Sequence, residues 1–338
     1  MRFEKMISAV DSHTEGMPTR VVTAGIGPVP GPTMFEKKRY VEENLDHLRR
    51  LLMFEPRGHG SMSGSILLPP TDPEADLGVV FIEVSGCLPM CGHGTIGTVT
   101  VALETGLVKA VEPVTRLVLD TPAGLVTAEA TVESGKVKKV KIKNVPSFLY
   151  KRDVQVDVPG LGPLTLDIAY GGNFYGILPA RAVGMSLKRS ETGRLIEAGM
   201  RVMEAVGQQV ELRHPVNPQI NEIKHTIFTG PASESTGADA KAAVVIYPGT
   251  LDRSPCGTGT SARMAQLHGR GELPLNQPFI HESFIGTTFT GTLVEETQAG
   301  ELTAVVPTIE GRAWITGIQQ FVLDPTDPFP AGFLIDQD

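Results

Sequence analysis

The chain contains 338 residues, of which 41% are hydrophobic and 20% charged, which is too apolar for a disordered protein and long enough for about two domains. Its net charge of −8 disfavours binding to nucleic acid or to an anionic membrane, and no segment approaches the ~18 apolar residues of a membrane helix. Three cysteines are too few for a disulfide framework and the N-terminus lacks a secretory signal, so we expect a cytoplasmic protein with reduced thiols.

The first half of the chain combines strands with a helix. Residues 6–25 predict two strands joined by a short turn. Thr33 and Glu36 have the spacing of a capping box, so we expect a helix to begin after Thr33 and to end before Pro56. Further strands are predicted at residues 77–84 and, as a β-meander, at 116–145.

The second half follows a proline-rich stretch, and we place a domain boundary near residue 155. Residues 164–178 predict a strand, a turn and a strand, as at the start of the chain. A helix is predicted at 190–209, where apolar residues fall on one face. The remaining strands are predicted at 242–247 and, as a second meander, at 284–324. Strands and helices mix in both halves, which indicates an α/β (α+β) fold class.

One short pattern occurs twice, about half a chain apart. Residues 91–97 read CGHGTIG and residues 256–262 read CGTGTSA, so both contain Cys-Gly-X-Gly-Thr. Each copy follows a strand-like segment and a proline, and each precedes a helical run that stops at a glycine. The repeat predicts two half-chains of similar fold, namely residues 1–155 joined by 316–338, and residues 156–315.

Each copy of the pattern would place a cysteine at the N-terminus of a helix. Unpaired backbone N–H groups and the helix dipole at such an end lower the pKa of a thiol and favour bound anions. Two such thiols, Cys91 and Cys256, on opposite faces of a small anion would remove a proton from one side of a carbon and return one to the other. A single cysteine before a helix is more often a packing residue, so the hypothesis depends on the matched pair.

These motifs resemble the proline racemase superfamily. The resemblance is carried by DSHTEGMPTRVV at residues 11–22, MCGHGTIG at 90–97 and DRSPCGTGTSA at 252–262, and it extends essentially from end to end through PRGHGSMSG, GGNFYG and FVLDPTDPFPAGF. It implies a fold like that of diaminopimelate epimerase, with two α/β halves, each a curved sheet around a central helix, and the active site in the cleft between them. It also implies chemistry that uses no cofactor and no metal.

The resemblance also implies a substrate class. Members of the superfamily include proline racemases, 4-hydroxyproline 2-epimerases and trans-3-hydroxy-L-proline dehydratases. The chain is most similar to the bacterial 4-hydroxyproline 2-epimerases, which implies conversion of trans-4-hydroxy-L-proline to cis-4-hydroxy-D-proline, with proline racemisation as the alternative. The dehydratases typically have Thr in place of Cys256, which disfavours dehydration here. The expected partner is this small molecule, without nucleic acid or membrane, and homodimers are common among such folds.

The implied catalytic acid/base pair is Cys91 and Cys256. The substrate carboxylate is expected on the backbone N–H groups at the two helix ends, which belong to Gly92, His93, Gly257 and Thr258. Asp252 is expected to pair with the ring nitrogen, with an Asx turn as its structural alternative. His93 would donate to the carboxylate or support the thiolate, with helix capping as its alternative, and His225 matches a substrate-contacting position of the family.

A non-enzymatic thiol or metal-binding protein is the remaining alternative. Cys87, Cys91 and His93 superficially resemble a metal-ligand cluster, but no second clustered pair follows, and a zinc site normally needs four ligands or three plus water. We expect Cys87 to be a small buried apolar residue. If instead Cys87 and Cys91 formed the reactive pair, Cys256 would be dispensable.

Overall fold

The computed structural model describes residues 3–335, and the chain divides into two compact units. The first unit runs to Ile142 and also contains the segment from Gly311 onward, whereas the second unit is Lys143–Glu310. The sequence predicts the boundaries near residues 155 and 316. Each lies several residues later in the chain than the boundary between the units in the structure.

A hairpin accounts for the difference near residue 155. Val156 and Val158 alternate with polar residues and are buried, which is the two-residue period of a strand. Val156 pairs with Leu164 of the next strand, and Pro159 lies in the turn that joins the two. The proline-rich stretch therefore forms part of the second unit and is not a linker.

The elements of the first unit begin with two strands and two short helices. In chain order to residue 143 they are β1 (Lys5–Thr14), β2 (Met17–Ala24), α1 (Met34–Asn44), α2 (Asp46–Met53), β3 (Ser63–Leu68), β4 (Leu77–Glu83), β5 (Gly86–Leu88), α3 (Gly92–Glu104), β6 (Val114–Thr121), β7 (Gly124–Glu133) and β8 (Lys136–Lys143).

The second unit follows without a long connection. Its elements are β9 (Phe148–Val158), β10 (Gly162–Tyr170), β11 (Phe174–Pro179), 3-10 turns at Ala180–Val183 and Arg189–Glu191, α4 (Thr192–Gln209), β12 (Ile223–Gly230), β13 (Ala240–Ile246), β14 (Thr250–Leu251), α5 (Gly257–Gly269), β15 (Pro278–Glu282), β16 (Thr288–Ala299) and β17 (Leu302–Gly311). The last strand, β18 (Ala313–Leu323), returns to the first unit. Within residues 3–335, no helix has both the length and the apolar character needed to cross a membrane.

The first unit is a sheet that packs around one helix. Its strands pair in the order β18–β1–β2–β3–β4–β6–β7–β8, with β2–β3 and β4–β6 parallel and the other pairs antiparallel. Helix α3 packs against β1, β2 and β18, and every residue from Gly92 to Leu103 is buried. A helix buried on all sides carries few charges, and this one has none before its last residue.

The second unit repeats this topology. Its strands pair in the order β9–β10–β11–β12–β13–β15–β16–β17. The third and fifth pairs along this order, β11–β12 and β13–β15, are parallel, as are the third and fifth pairs of the first unit. Helix α5 occupies the place of α3, because it follows a short strand and packs against β9, β10 and β16. The predicted fold class, with two similar halves that each surround a central helix, is confirmed.

One predicted element differs from the structure. The single helix expected after Thr33 is divided at Leu45, where the backbone leaves the helical region at φ −123° and ψ 11°. Its start is as predicted, since Thr33 Oγ1 accepts a hydrogen bond from the Glu36 amide at 3.3 Å. The break follows Asn44, whose side-chain amide donates to the Tyr40 carbonyl at 3.2 Å and so competes with the backbone bonding of the helix.

Candidate active site

Cys91 caps the N-terminus of helix α3. Its Sγ accepts a hydrogen bond from the Gly94 amide at 3.4 Å, and the residue is 7% exposed. The extended backbone of Cys91, at φ −143° and ψ 119°, is typical of an N-cap residue. The sulfur therefore lies at the positive end of a fully buried helix, where negative charge on a thiolate is stabilised.

His93 is held beside Cys91 in a defined tautomer. The Ser63 hydroxyl has one proton, which it donates to the Pro18 carbonyl at 2.5 Å. Ser63 Oγ must then accept the Nε2–H of His93, which lies 2.8 Å away. In the neutral imidazole, Nδ1 consequently carries the lone pair, and it lies 3.5 Å from Cys91 Sγ. Cys91 Sγ also lies 3.7 Å from Nε2, so the sulfur is close to both ring nitrogens, and the thiolate-supporting role of His93 stays a prediction.

Cys256 caps helix α5 in a more strained conformation. Its backbone lies in the left-handed region at φ +66°, and its Sγ accepts from the Gly259 amide at 3.3 Å. Burial, and next the charge of Asp252, raise the pKa of this thiol to about 12, although hydrogen bonds from Tyr175, Gly259 and Thr258 oppose the shift. Cys256 is accordingly protonated at neutral pH.

Tyr175 lies next to three predicted site residues of the second unit. Its hydroxyl lies 2.6 Å from Thr258 Oγ1 and 3.4 Å from Cys256 Sγ, and the side chain is fully buried. The ring packs against His225, with 4.7 Å between the centroids. Burial lowers the pKa of His225 to about 4, so its imidazole is neutral at physiological pH. Sequence reasoning did not identify Tyr175, although it lies within the GGNFYG motif.

Asp252 organises the loop that leads to Cys256. Its Oδ1 accepts hydrogen bonds from the Ser254 amide at 2.8 Å and from the Ser254 hydroxyl at 2.9 Å. Ser254 Oγ in turn accepts from the Cys256 amide at 3.1 Å. The Asx turn that the sequence offered as a structural alternative is therefore present, and it links Asp252 to the backbone of the cysteine.

Cys87 lies in the apolar core of the first unit. It is 8% exposed, and burial is the main cause that raises its pKa to about 12. Glu83, at the end of β4, is the ionisable residue that lies close to Cys91 and His93, whereas the sequence had grouped Cys87 with them. Glu83 pairs across the sheet with Ser63, a juxtaposition that the sequence alone does not reveal.

The two helix ends offer similar chemistry. Gly92, Gly257 and Thr258 lie in first helical turns, where backbone N–H groups have no acceptor within the helix and can hold a carboxylate. Each end adds one sulfur, with an imidazole beside Cys91 and hydroxyl groups beside Cys256. Each unit therefore contains one cysteine thiol next to potential donors for an anion.

The chain matches the proline racemase family over residues 9–334. It is 58% identical to a 4-hydroxyproline 2-epimerase of Streptosporangium roseum over 335 residues, which cover 99% of this chain and 100% of that protein. It is 46% identical to a proline racemase of Clostridioides difficile, over 99% of this chain and 100% of that one. These similarities include both halves of the chain.

A solved structure is similar over the same extent. A hydroxyproline epimerase from Agrobacterium vitis, with bound trans-4-hydroxy-L-proline, has a TM-score of 0.89 and 34% sequence identity, and the match covers 99% of this chain and 97% of that one. The similarity in fold agrees with the family match and with the repeated cysteine-capped helices. The chain belongs to the proline racemase family.

Proposed function

We propose that the protein epimerises the α-carbon of trans-4-hydroxy-L-proline to give cis-4-hydroxy-D-proline. The observation that carries the proposal is the equivalent position of Cys91 and Cys256, each the N-cap of the central helix of its unit. The substrate is supported by the 58% identical 4-hydroxyproline 2-epimerase and by the hydroxyproline epimerase structure with bound trans-4-hydroxy-L-proline. The free thiols that this chemistry needs fit a cytoplasmic location.

The two thiols have complementary roles in this proposal. Cys91, supported by Nδ1 of His93, acts as the thiolate that takes the α-proton, and Cys256 gives its own proton to the opposite face of the carbon. The product leaves with inverted configuration, and the enzyme then holds the proton on Cys91 and the negative charge on Cys256. The reverse reaction begins from that state, so the two cysteines exchange roles with the direction of turnover.

The helix ends would stabilise the charge that develops during proton removal. Loss of the α-proton places negative charge on the α-carbon and the carboxylate of the substrate. Fixed N–H groups directed at the carboxylate stabilise this charge more than water does, because they need no reorganisation. We assign this role to the first-turn amides of Gly92, His93, Gly257 and Thr258. Asp252 and His225 complete the proposed substrate-binding set, with Asp252 paired to the ring nitrogen.

Proton NMR in D2O tests the substrate. We expect the enzyme, kept reduced, to convert trans-4-hydroxy-L-proline to a compound with the spectrum of cis-4-hydroxy-D-proline, while the α-proton signal disappears. L-proline and trans-3-hydroxy-L-proline serve as parallel substrates. Exchange with L-proline alone would make the protein a proline racemase, and formation of a dehydrated ring from the 3-hydroxy compound would make it a dehydratase.

Replacement of each cysteine tests the catalytic assignment. We expect Cys91→Ser and Cys256→Ser each to lower turnover by at least about 100-fold, because an acid/base group contributes 10²–10⁴-fold. Cys87→Ser is the matched control and should keep most of its activity, since Cys87 is a core residue. Full activity in Cys256→Ser would contradict the two-thiol mechanism.

A further inference from the structure

The side chains of Glu83, Cys91 and His93 lie close enough together to bind one metal ion. One ligand atom from each of these three side chains lies within 4.8 Å of the other two. We infer that they form a binding site for one thiophilic divalent cation, such as Zn²⁺, and that occupation of this site reversibly inhibits the enzyme. Cation binding stands independently of the proposed function, whereas inhibition rests on it because it requires Cys91 to be an acid/base group.

The spacing of the sulfur and the imidazole suits a tetrahedral cation. Zinc binds sulfur at about 2.3 Å and a histidine nitrogen at about 2.0–2.1 Å, which places the two ligand atoms about 3.5 Å apart in a tetrahedral site. Cys91 Sγ lies 3.5 Å from Nδ1 of His93. The same sulfur lies 3.7 Å from Nε2, so the His93 ring must turn before Nδ1 and Sγ can share a cation.

The tautomer of His93 also favours a cation. A metal-binding histidine usually donates its second ring N–H to a fixed acceptor, which orients the ring and keeps the ligating nitrogen unprotonated. Ser63 provides this acceptor at 2.8 Å from Nε2, because its own proton goes to Pro18. This arrangement leaves Nδ1 as the ring nitrogen that carries the lone pair, 3.5 Å from Cys91 Sγ.

Glu83 provides the third ligand from a neighbouring strand. Because Glu83 and Ser63 face each other across the β3–β4 pair, the same two strands hold both the carboxylate and the acceptor for His93. A carboxylate, an imidazole and a thiolate together match the donor types of protein zinc sites. Three protein ligands leave a fourth position for water or for the carboxylate of a substrate.

Binding of the cation must displace a proton when Cys91 begins as a thiol. The S–H bond breaks, the proton goes to solvent, and a sulfur–metal bond forms. No change of oxidation state occurs. The affinity should consequently increase with pH until the thiol is fully ionised, and inhibition should be reversed by a chelator.

A cobalt titration tests the site without reference to turnover. Co²⁺ replaces Zn²⁺ in such sites, and a cobalt–thiolate bond gives a near-ultraviolet charge-transfer band. We expect one equivalent of Co²⁺ to produce this band in the full-length protein, kept reduced by a reagent that contains no thiol, and Zn²⁺ to abolish it. Cys91→Ser should lose the band, and Glu83→Gln should weaken Co²⁺ binding at least about 10-fold.

Two variants serve as controls for this titration. Cys87→Ser and Cys256→Ser remove the other two thiols and should keep the band and its stoichiometry. Absence of the band from the wild-type protein, or its persistence in Cys91→Ser, would overturn the proposed site. Zn²⁺ that binds without slowing epimerisation would overturn the inhibition alone. A protein without epimerase activity but with the band would retain the metal site and lose the proposed function.

Discussion

The two cysteines have different proton partners. Cys91 faces an imidazole nitrogen whose lone pair is fixed by Ser63, so its proton has a nearby acceptor. Cys256 faces the hydroxyls of Tyr175 and Thr258, and burial keeps it protonated at neutral pH. This asymmetry supports the proposed assignment, in which Cys256 holds the proton that it gives to the substrate and Cys91 takes the α-proton.

Removal of the Tyr175 hydroxyl should affect Cys256 selectively. Tyr175→Phe keeps the ring that packs on His225 but removes a hydrogen bond that lowers the pKa of Cys256. We expect slower alkylation of Cys256 by iodoacetamide at pH 8, unchanged alkylation of Cys91, and turnover reduced by about 10-fold. Peptide mass spectrometry resolves the two sites. Equal changes at both cysteines would indicate a general structural effect.

Glu15 should make stability depend on pH. Burial raises the pKa of Glu15 to about 7 from 4.5, despite the opposing backbone hydrogen bond and charge of Arg312. The folded protein therefore holds a proton that the unfolded chain releases, so this stabilisation is complete below pH 4.5 and is lost as the pH rises through 7.

Glu15→Gln tests this dependence because glutamine stays neutral and retains an oxygen to accept the Arg312 amide, which lies 3.2 Å from the glutamate oxygen. Relative to wild type, we expect the variant to gain on the order of 1–2 kcal/mol in the free energy of unfolding between pH 4.5 and pH 8, after allowance for solvent screening. Urea titrations at both pH values measure it. The expectation would be contradicted if the difference in free energy of unfolding between Glu15→Gln and wild type were the same at pH 4.5 and at pH 8.

The sequence predicts candidate site residues that lie next to a motif, and it gives no sign of the residues that other strands bring close to them. Cys91 and Cys256 were identifiable because a helix N-terminus is a local feature of the chain. Ser63 and Glu83 lie on β3 and β4, and their approach to His93 depends on strand pairing. Tyr175 reaches Cys256 across 81 residues of chain, so only the folded sheet shows its role.

The N-termini of α3 and α5 depend on a glycine three residues after each cysteine. Gly94 and Gly259 donate their amides to the sulfur atoms. A Cβ on Gly259 would lie 3.1 Å from both Cβ and Sγ of Cys256, and a Cβ on Gly94 would lie 3.1 Å from Sγ of Cys91. These contacts are tighter than ordinary packing, so a Cβ here would push its neighbours, the thiol among them, by a few tenths of an ångström.

Gly259→Ala should therefore impair catalysis more than folding. We expect turnover to fall by up to about 10-fold, since a displacement of about 1 Å at a reacting group can cost 100-fold and the shift here is smaller. Gly207→Ala is the matched control on α4, because a Cβ there meets no atom of residues 3–335 within 4 Å. It should keep full activity and gain up to about 1 kcal/mol of stability. Equal activity in the two variants would contradict the proposed packing.

Local sequence patterns predicted the positions of helices and strands better than the point at which a helix is interrupted. The helix expected at 190–209 is observed at Thr192–Gln209, and the strand expected at 77–84 is observed at Leu77–Glu83. The division between α1 and α2 was missed because apolar spacing continues through Leu45 and gives no sign of the side-chain bond made by Asn44.

At the scale of the whole molecule, the chain consists of two units that share a topology but have little sequence in common. Both units have the same strand order and the same parallel pairs, whereas the sequence reveals the repeat only in the five-residue pattern, its flanking proline and glycine, and the similar strand–turn–strand openings. Shared topology with different side chains gives each unit the same helix end and a different proton partner.

The most direct test follows deuterium during the first turnovers in D2O. Two separate acid/base groups predict that newly formed cis-4-hydroxy-D-proline carries deuterium at the α-carbon while the remaining trans-4-hydroxy-L-proline keeps its protium. The reason is that Cys256 exchanges with solvent before it donates, whereas the substrate proton stays on Cys91. Mass spectrometry of both isomers at about 5% conversion makes the measurement. Product that contains the original protium would show a single acid/base group and would contradict the two-thiol mechanism.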